Sequence, residues 1–262
     1  MILGDSRSFQ GIQPSLINSY FKNKEFSLPI LNYSFTIAQM SYGEIWNESI
    51  KRKLDTTTRN GLFILTVTPW MLSKRESDDE EKKIFFERDE PPNNMTCVTL
   101  NPNFEYFVKN LTYFHFRSVF RKTSEVHKDG WLEESNLTKD QGTLNAWKQN
   151  QIKTHLGFSR KWQPSRYRLS ELDKLVKYLN NYGSVFIVRM PIDTIIIEIE
   201  NNYWKGFDDE ISELSMNNRA KYINFAKGEE KYRTYDGNHI DKYGGVQFAK
   251  DLCDSISSKT SN

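Results

Sequence analysis

A serine hydroxyl becomes an effective nucleophile only when a base takes its proton and a third group holds that base in the right tautomer. The two ends of this 262-residue chain carry residue types that would meet that need. Near the start, Met1-Ile2-Leu3-Gly4-Asp5-Ser6-Arg7 runs from apolar residues into Gly-Asp-Ser. That is the pattern of a buried strand ending in a turn that presents a hydroxyl. Near the end, Tyr235-Asp236-Gly237-Asn238-His239 places an acid three residues before a histidine. In this arrangement Ser6 would attack a carbonyl carbon and His239 would take its proton and hand it to the leaving group. Asp236 would fix the imidazole tautomer and stabilise the imidazolium. Alone, a Gly-Asp-Ser tripeptide usually marks a turn, and a lone Asp-x-x-His is more often a solvated helix start. Their joint placement is the signal.

Gly-Asp-Ser directly after the first strand, with Asp-x-x-His before the last helix, resembles the SGNH (GDSL-like) hydrolase superfamily. Two fuller runs look like its branch of envelope-polymer acylation proteins, the DltD and AlgX/AlgJ kind. They are Gly4-Asp5-Ser6-Arg7 followed by Gly11-Ile12-Gln13-Pro14-Ser15-Leu16-Ile17, and Tyr235-Asp236-Gly237-Asn238-His239-Ile240. The likeness covers both ends and the strand order, and not the middle third. It implies a serine-dependent O-acyl esterase or O-acyltransferase acting on acylated carbohydrate, with no cofactor and with Ser6, Asp236 and His239 as its triad. It also implies oxyanion donors: the nucleophile's own backbone N–H, a Gly after the second strand and an Asn after the third. This chain has Asn32-Tyr33-Ser34 and Thr66-Val67-Thr68-Pro69-Trp70 at those places. Ser34 through its N–H and Thr68 through its hydroxyl are therefore the candidates, while Pro69 donates nothing. That departure supports a rival reading, a protein that kept the fold for glycan binding or envelope assembly and lost turnover.

The elements that must position these residues alternate along the chain. Strands are expected at 1–3, 28–34, 61–68, 184–191 and 221–225, and helices at 14–22, 41–54, 169–181, 193–203, 207–217 and 243–256, with Ser170 capping the helix at 169–181 and Gly183 stopping it. The continuous apolar run at 61–68 argues burial on both faces. Such alternation predicts an α/β fold, a three-layer α/β/α sandwich around a parallel sheet of about five strands, in one domain over residues 1–262. Ligands of such sheets bind beyond the carboxyl ends of the strands, where Ser6, Ser34, Thr68 and the 236–239 segment all fall.

A long, mostly helical or irregular insertion is expected over about residues 71–168. Nine of the ten residues from Lys74 to Lys83 are charged, which reads as a solvated excursion. Residues 104–111 suggest a short helix, and 113–168 read either as a lid over the carboxyl edge or as a structural helical insert. Trp70, Trp131, Trp147 and Trp162 are candidates for contact with substrate, the last three as flat surfaces for a sugar ring, although ordinary packing is the commoner fate of any one Trp. Arg7 would clamp an anionic substrate group or brace its loop by a salt bridge. Arg160, Lys161, Arg166 and Arg168 read as a solvated basic loop.

The net charge of +2 provides no bulk field for nucleic acid or an anionic membrane. His115, His127, His155 and His239 show no metal-ligand spacing, and Cys97 and Cys253 are too few for a disulfide framework, so no metal site is expected. No apolar run reaches the ~18 residues of a membrane span, and no signal pattern opens the chain, which as given reads as soluble and cytoplasmic. The first strand has almost no length before its turn, against about five residues for a usual strand. An upstream segment with an apolar anchor or export signal is therefore expected.

Overall fold

The computed structural model describes residues 1–22, 26–96, 103–110, 124–227 and 231–260. Four strands, β1 (Ile2–Leu3), β2 (Gly61–Thr66), β7 (Gly183–Arg189) and β8 (Lys221–Asn224), form a parallel sheet in that order. Side chains alternate across it, as a pleated strand requires. Phe63, Leu65, Val185 and Ile187 enter one core with helices α3 (Glu44–Lys53), α6 (Arg166–Leu179) and α8 (Phe207–Asn217). Leu62, Ile64, Phe186 and Val188 enter the other, with α2 (Pro14–Tyr20) and α9 (Lys242–Thr260). Both faces are thus covered, giving the three-layer α/β/α sandwich.

The sheet has four strands rather than five. The expected second strand survives only as a parallel bridge from Asn32 to Ile2. Residues 31–35 still run along β1, with Ile2 N donating to Leu31 O at 2.7 Å, Tyr33 N to Ile2 O at 2.8 Å and Phe35 N to Gly4 O at 3.1 Å. A two-residue β1 offers too short a partner for a longer ladder. Pro29 moreover lacks an N–H to pair. Two boundaries also shift: α6 is capped by Ser165, whose side chain accepts from Arg168 N, rather than by Ser170. It ends at Leu179, and Gly183 opens β7.

Between β2 and β7 the chain leaves the sheet and returns through a clasp, β3 (Ser73–Lys74) antiparallel to β6 (Gln163–Pro164). Inside lie α4 (Phe104–Asn110), a hairpin of β4 (Ser124–Val126) and β5 (Leu132–Glu134), and the 21-residue helix α5 (Gln141–Lys161). Leu111, Cys97 and His115 lie outside the described residues. The charged stretch is not wholly solvated, and Arg168 does not belong to a solvated loop. Arg168 is buried with its Nη2 3.0 Å from Asp78 Oδ2 and 3.0 Å from Glu87 Oε2. Burial lowers the Arg168 pKa, and the two carboxylates more than offset it, so the guanidinium is held above its usual range. Cys253 is buried in the second core. No helix among the described residues is long and apolar enough to cross a membrane.

Candidate active site

Gly4 ends β1 where the backbone passes so close to its neighbours that an added Cβ would lie 1.8 Å from Thr66 Oγ1 and 2.3 Å from Ser8 Oγ. Asp5 then caps a short helix, α1 (Ser6–Gly11), its Oδ1 accepting from Arg7 N at 3.0 Å. Ser6 is therefore the first helical residue rather than part of an open turn, and it stays half-buried at the carboxyl end of β1.

The second half of the site is the loop after β8. A bridge between Thr234 and Ile240 closes it, and Tyr235 N donates to His239 O at 3.0 Å. Gly237 has φ +83°, a left-handed conformation that favours glycine. The turn lets Asp236 fold back on its own segment. Its Oδ1 accepts from Asn238 N at 2.9 Å and His239 N at 2.8 Å, and its Oδ2 lies 2.8 Å from His239 Nδ1. Burial would raise the Asp236 pKa, but His239 and these hydrogen bonds more than offset it and hold the carboxyl below its usual range. An ionised carboxylate only accepts, so Nδ1 carries the proton and Nε2 turns its lone pair to Ser6 Oγ, 2.8 Å away. The structure thus brings Ser6, His239 and Asp236 into one hydrogen-bonded line.

Beneath this line is a buried ionic cluster. Arg7 Nε donates to Asn238 Oδ1 at 2.8 Å and Arg7 Nη2 to Glu200 Oε1 at 2.6 Å. Glu200, fully buried on α7 (Thr194–Tyr203), also accepts from Trp70 Nε1 at 2.9 Å and Arg189 Nη2 at 3.1 Å. Burial would raise its pKa, and Arg7 and Arg189 outweigh that and hold it ionised below the usual carboxylate range. Asp5 shows the opposite balance: burial raises its pKa despite Arg7.

Above Ser6 opens a cleft of about 270 Å³. Ser6, Arg7, Trp70, Asn238 and His239 line it, and α5 supplies Gln151, Thr154, His155 and Phe158. The insertion helix is tied to the 236–239 loop: Gln151 Nε2 donates to Asp236 Oδ2 at 3.0 Å, and Lys148 pairs with Asp193, whose N donates to Gly237 O at 2.9 Å. Sequence reasoning missed Gln151, His155, Asn238 and Glu200. Glu200 was the findable one, because it falls four residues after Ile196 on the buried face of an apolar helix, and a carboxylate there needs a partner.

His155 is 4% exposed, and its Nδ1 has no hydrogen-bond partner among the described residues. Burial, and then the nearby Arg7 guanidinium, push its pKa down to about 4. The unfolded chain, with a histidine pKa of about 6.5, therefore binds a proton that the folded one does not between about pH 6.5 and 4. Stability present above that window is lost as the pH falls through it, by about 3 kcal/mol in total from this residue. His155→Phe is expected to shrink the difference in urea-unfolding free energy between pH 7 and pH 4.5 by about 2 kcal/mol. An unchanged difference would mean that His155 protonates freely in the folded state.

Other expected site residues are placed differently. Ser34 is not among the cleft residues, and its hydroxyl accepts from Ser8 Oγ at 2.9 Å. Thr68 is turned away too, donating to Asp5 Oδ2 at 3.3 Å and accepting from Met71 N at 3.3 Å. Trp131, Trp147 and Trp162 do not line the cleft. Trp131 donates to Gln10 O at 2.7 Å and stacks on His127, Trp147 meets Tyr235 edge-on, and Trp162 stacks on Phe158. Among the described residues no group of three or more His, Cys, Asp or Glu is placed to hold a metal ion.

No protein-family model matches the chain, and no curated protein sequence matches it. Among solved structures, the chain is similar to the native aryl esterase of M. smegmatis at 9% identity, with a TM-score of 0.44 and 98% of each chain covered. A likeness that distant leaves the case for function to the geometry of the site.

Proposed function

We propose that the chain is a serine esterase of SGNH type that cleaves small O-acyl esters, those of carbohydrates foremost, with all of its described sheet and helices serving one domain. The observation that carries this reading is the line from Ser6 Oγ through His239 to Asp236, 2.8 Å at each step. Ser6 Oγ bonds to the acyl carbon as its proton passes to His239 Nε2. The bond to the alcohol then breaks, and its oxygen takes that proton. Water repeats the sequence in reverse order to release the acid. A volume of about 270 Å³ suits a short acyl group. Transfer to a sugar hydroxyl shares every step up to the acyl-enzyme and needs a surface for the acceptor. The rings expected to offer one, Trp131, Trp147 and Trp162, are not among the residues that line the cleft, which favours hydrolysis.

One observation favours a second reading. Ser34 and Thr68 do not line the cleft and the Thr68 hydroxyl donates to Asp5, so two of the three oxyanion donors inferred from sequence are not brought to it, as in a binding protein that kept the fold without turnover. A fluorophosphonate probe separates the two. Labelling of the wild type at Ser6, abolished in Ser6→Ala, is expected of the esterase. An unlabelled Ser6, under conditions that label a control esterase, would favour the binding protein.

A further inference from the structure

One side-chain amide outside the triad lies against the reacting atoms. Asn238 Nδ2 is 3.1 Å from His239 Nε2, the same nitrogen that holds Ser6 Oγ at 2.8 Å. The orientation of the amide is forced by its other neighbour. Arg7 Nε can only donate and sits 2.8 Å from Asn238 Oδ1, so the oxygen faces Arg7 and the NH₂ faces the imidazole. Arg7 is in turn held by Glu200, and the Asn238 backbone N–H by Asp236. Asn238 is buried, lines the cleft and has little freedom to turn.

In the resting site the lone pair of His239 Nε2 thus receives two donors, the Ser6 hydroxyl and the Asn238 amide. Once Ser6 has attacked, Nε2 carries the proton, and the amide N–H faces another N–H. It then needs a new acceptor. The protonated Nε2 must point at the oxygen of the leaving alcohol for the carbon–oxygen bond to break, so that oxygen comes within reach of the neighbouring amide as it gains negative charge.

We propose that Asn238 Nδ2 is a catalytic donor to the leaving alcohol oxygen, which suits the site to esters of aliphatic alcohols, the chemical class of sugar and polyol esters. The inference rests on the esterase reading above. The amide itself gains and loses nothing: the serine proton passes to Nε2 and then to the alcohol oxygen, and Asn238 only donates a hydrogen bond to that oxygen as its bond to carbon breaks. A phenolate leaves without such help, whereas an aliphatic alkoxide is too basic to leave unaided.

The test compares phenyl acetate with cyclohexyl acetate, two esters of similar size, through kcat/KM, which reports the steps up to loss of the alcohol. Asn238→Ala removes the amide, and Asn238→Leu removes the donor while keeping the bulk beside the imidazole. Both variants are expected to lose about ten- to a hundredfold on cyclohexyl acetate, as for a hydrogen bond to a charged oxygen. On phenyl acetate the loss is expected to be smaller than on cyclohexyl acetate by at least about tenfold, since that leaving group needs no donor. Equal losses on the two esters would make Asn238 a brace for Arg7 and overturn the inference. An undiminished rate on cyclohexyl acetate would also overturn it, as would a wild type that cleaves only phenyl acetate. Turnover of phenyl acetate that disappears in Ser6→Ala leaves the esterase reading standing in all three cases. Turnover of neither ester by the wild type would overturn both.

Discussion

Ser6→Ala is expected to fold like the wild type and to lose ester cleavage by about 10⁴- to 10⁶-fold in kcat. On the esterase reading the loss is large because the hydroxyl is the atom that bonds to the acyl carbon. The cost to stability is small, within about 0.5 kcal/mol, because the substitution removes one half-exposed oxygen from the first residue of α1. The cap of that helix is Asp5, which is untouched. His239→Ala should do similar harm, and the double variant should be no worse than either single one, since the residues act as a unit. Asp236→Asn should reduce turnover through the imidazole tautomer. Rates on an aryl acetate with matched thermal melts check all four, and a Ser6→Ala protein that kept the wild-type rate would put the nucleophile elsewhere.

Glu200→Ala is expected to destabilise the protein by about 3–5 kcal/mol and to lower kcat as well. The carboxylate lies between two buried guanidinium groups, with Arg7 at 2.6 Å and Arg189 at 3.1 Å. Removing it leaves two desolvated cations facing each other, and the Trp70 indole N–H loses its acceptor. Arg189 keeps a partner in Asp208 at 2.8 Å, but Arg7 keeps only the neutral Asn238 amide. Activity follows because Arg7 orients Asn238 beside His239. Urea unfolding at pH 7 gives the stability change, and a loss below about 1 kcal/mol would mean that water reaches the cluster and screens it.

Much of the fold was legible because parallel strands buried on both faces write continuous apolar runs. Gly61–Thr66 and Gly183–Arg189 are the two central strands, and both stood out for that reason. The helices of the two outer layers, such as Arg166–Leu179, carry one-sided apolar stripes and were equally readable apart from their ends. Helix α5 was not. It has only Leu144 and His155 buried, and the residues it turns to the cleft, Gln151, Thr154, His155 and Phe158, are mostly polar. A helix that packs through hydrogen bonds and ion pairs leaves no hydrophobic period to detect. The hydroxyl cluster of Ser8, Ser34 and Thr66 was hidden for a related reason, since which buried polar groups satisfy one another depends on strand register. Ser6, Asp236 and His239 were visible because the chemistry proposed for them needs particular residue types at short spacings within each segment. Glu200 and Arg7 form a pair separated by 193 positions, which no local pattern reveals.

Helix α5 both bounds the cleft through Phe158 and holds Asp236 through Gln151, two turns earlier on the same rod. If the chain is the esterase proposed above, breadth of substrate and speed of turnover are therefore not independent variables in it. A change that let α5 drift outward to admit a longer acyl chain would also slacken the grip on the carboxylate that orients the imidazole. Selection for bulkier esters would have to proceed by trimming side chains on a stationary helix, at Phe158 or Thr154, and engineering of the cleft faces the same restriction.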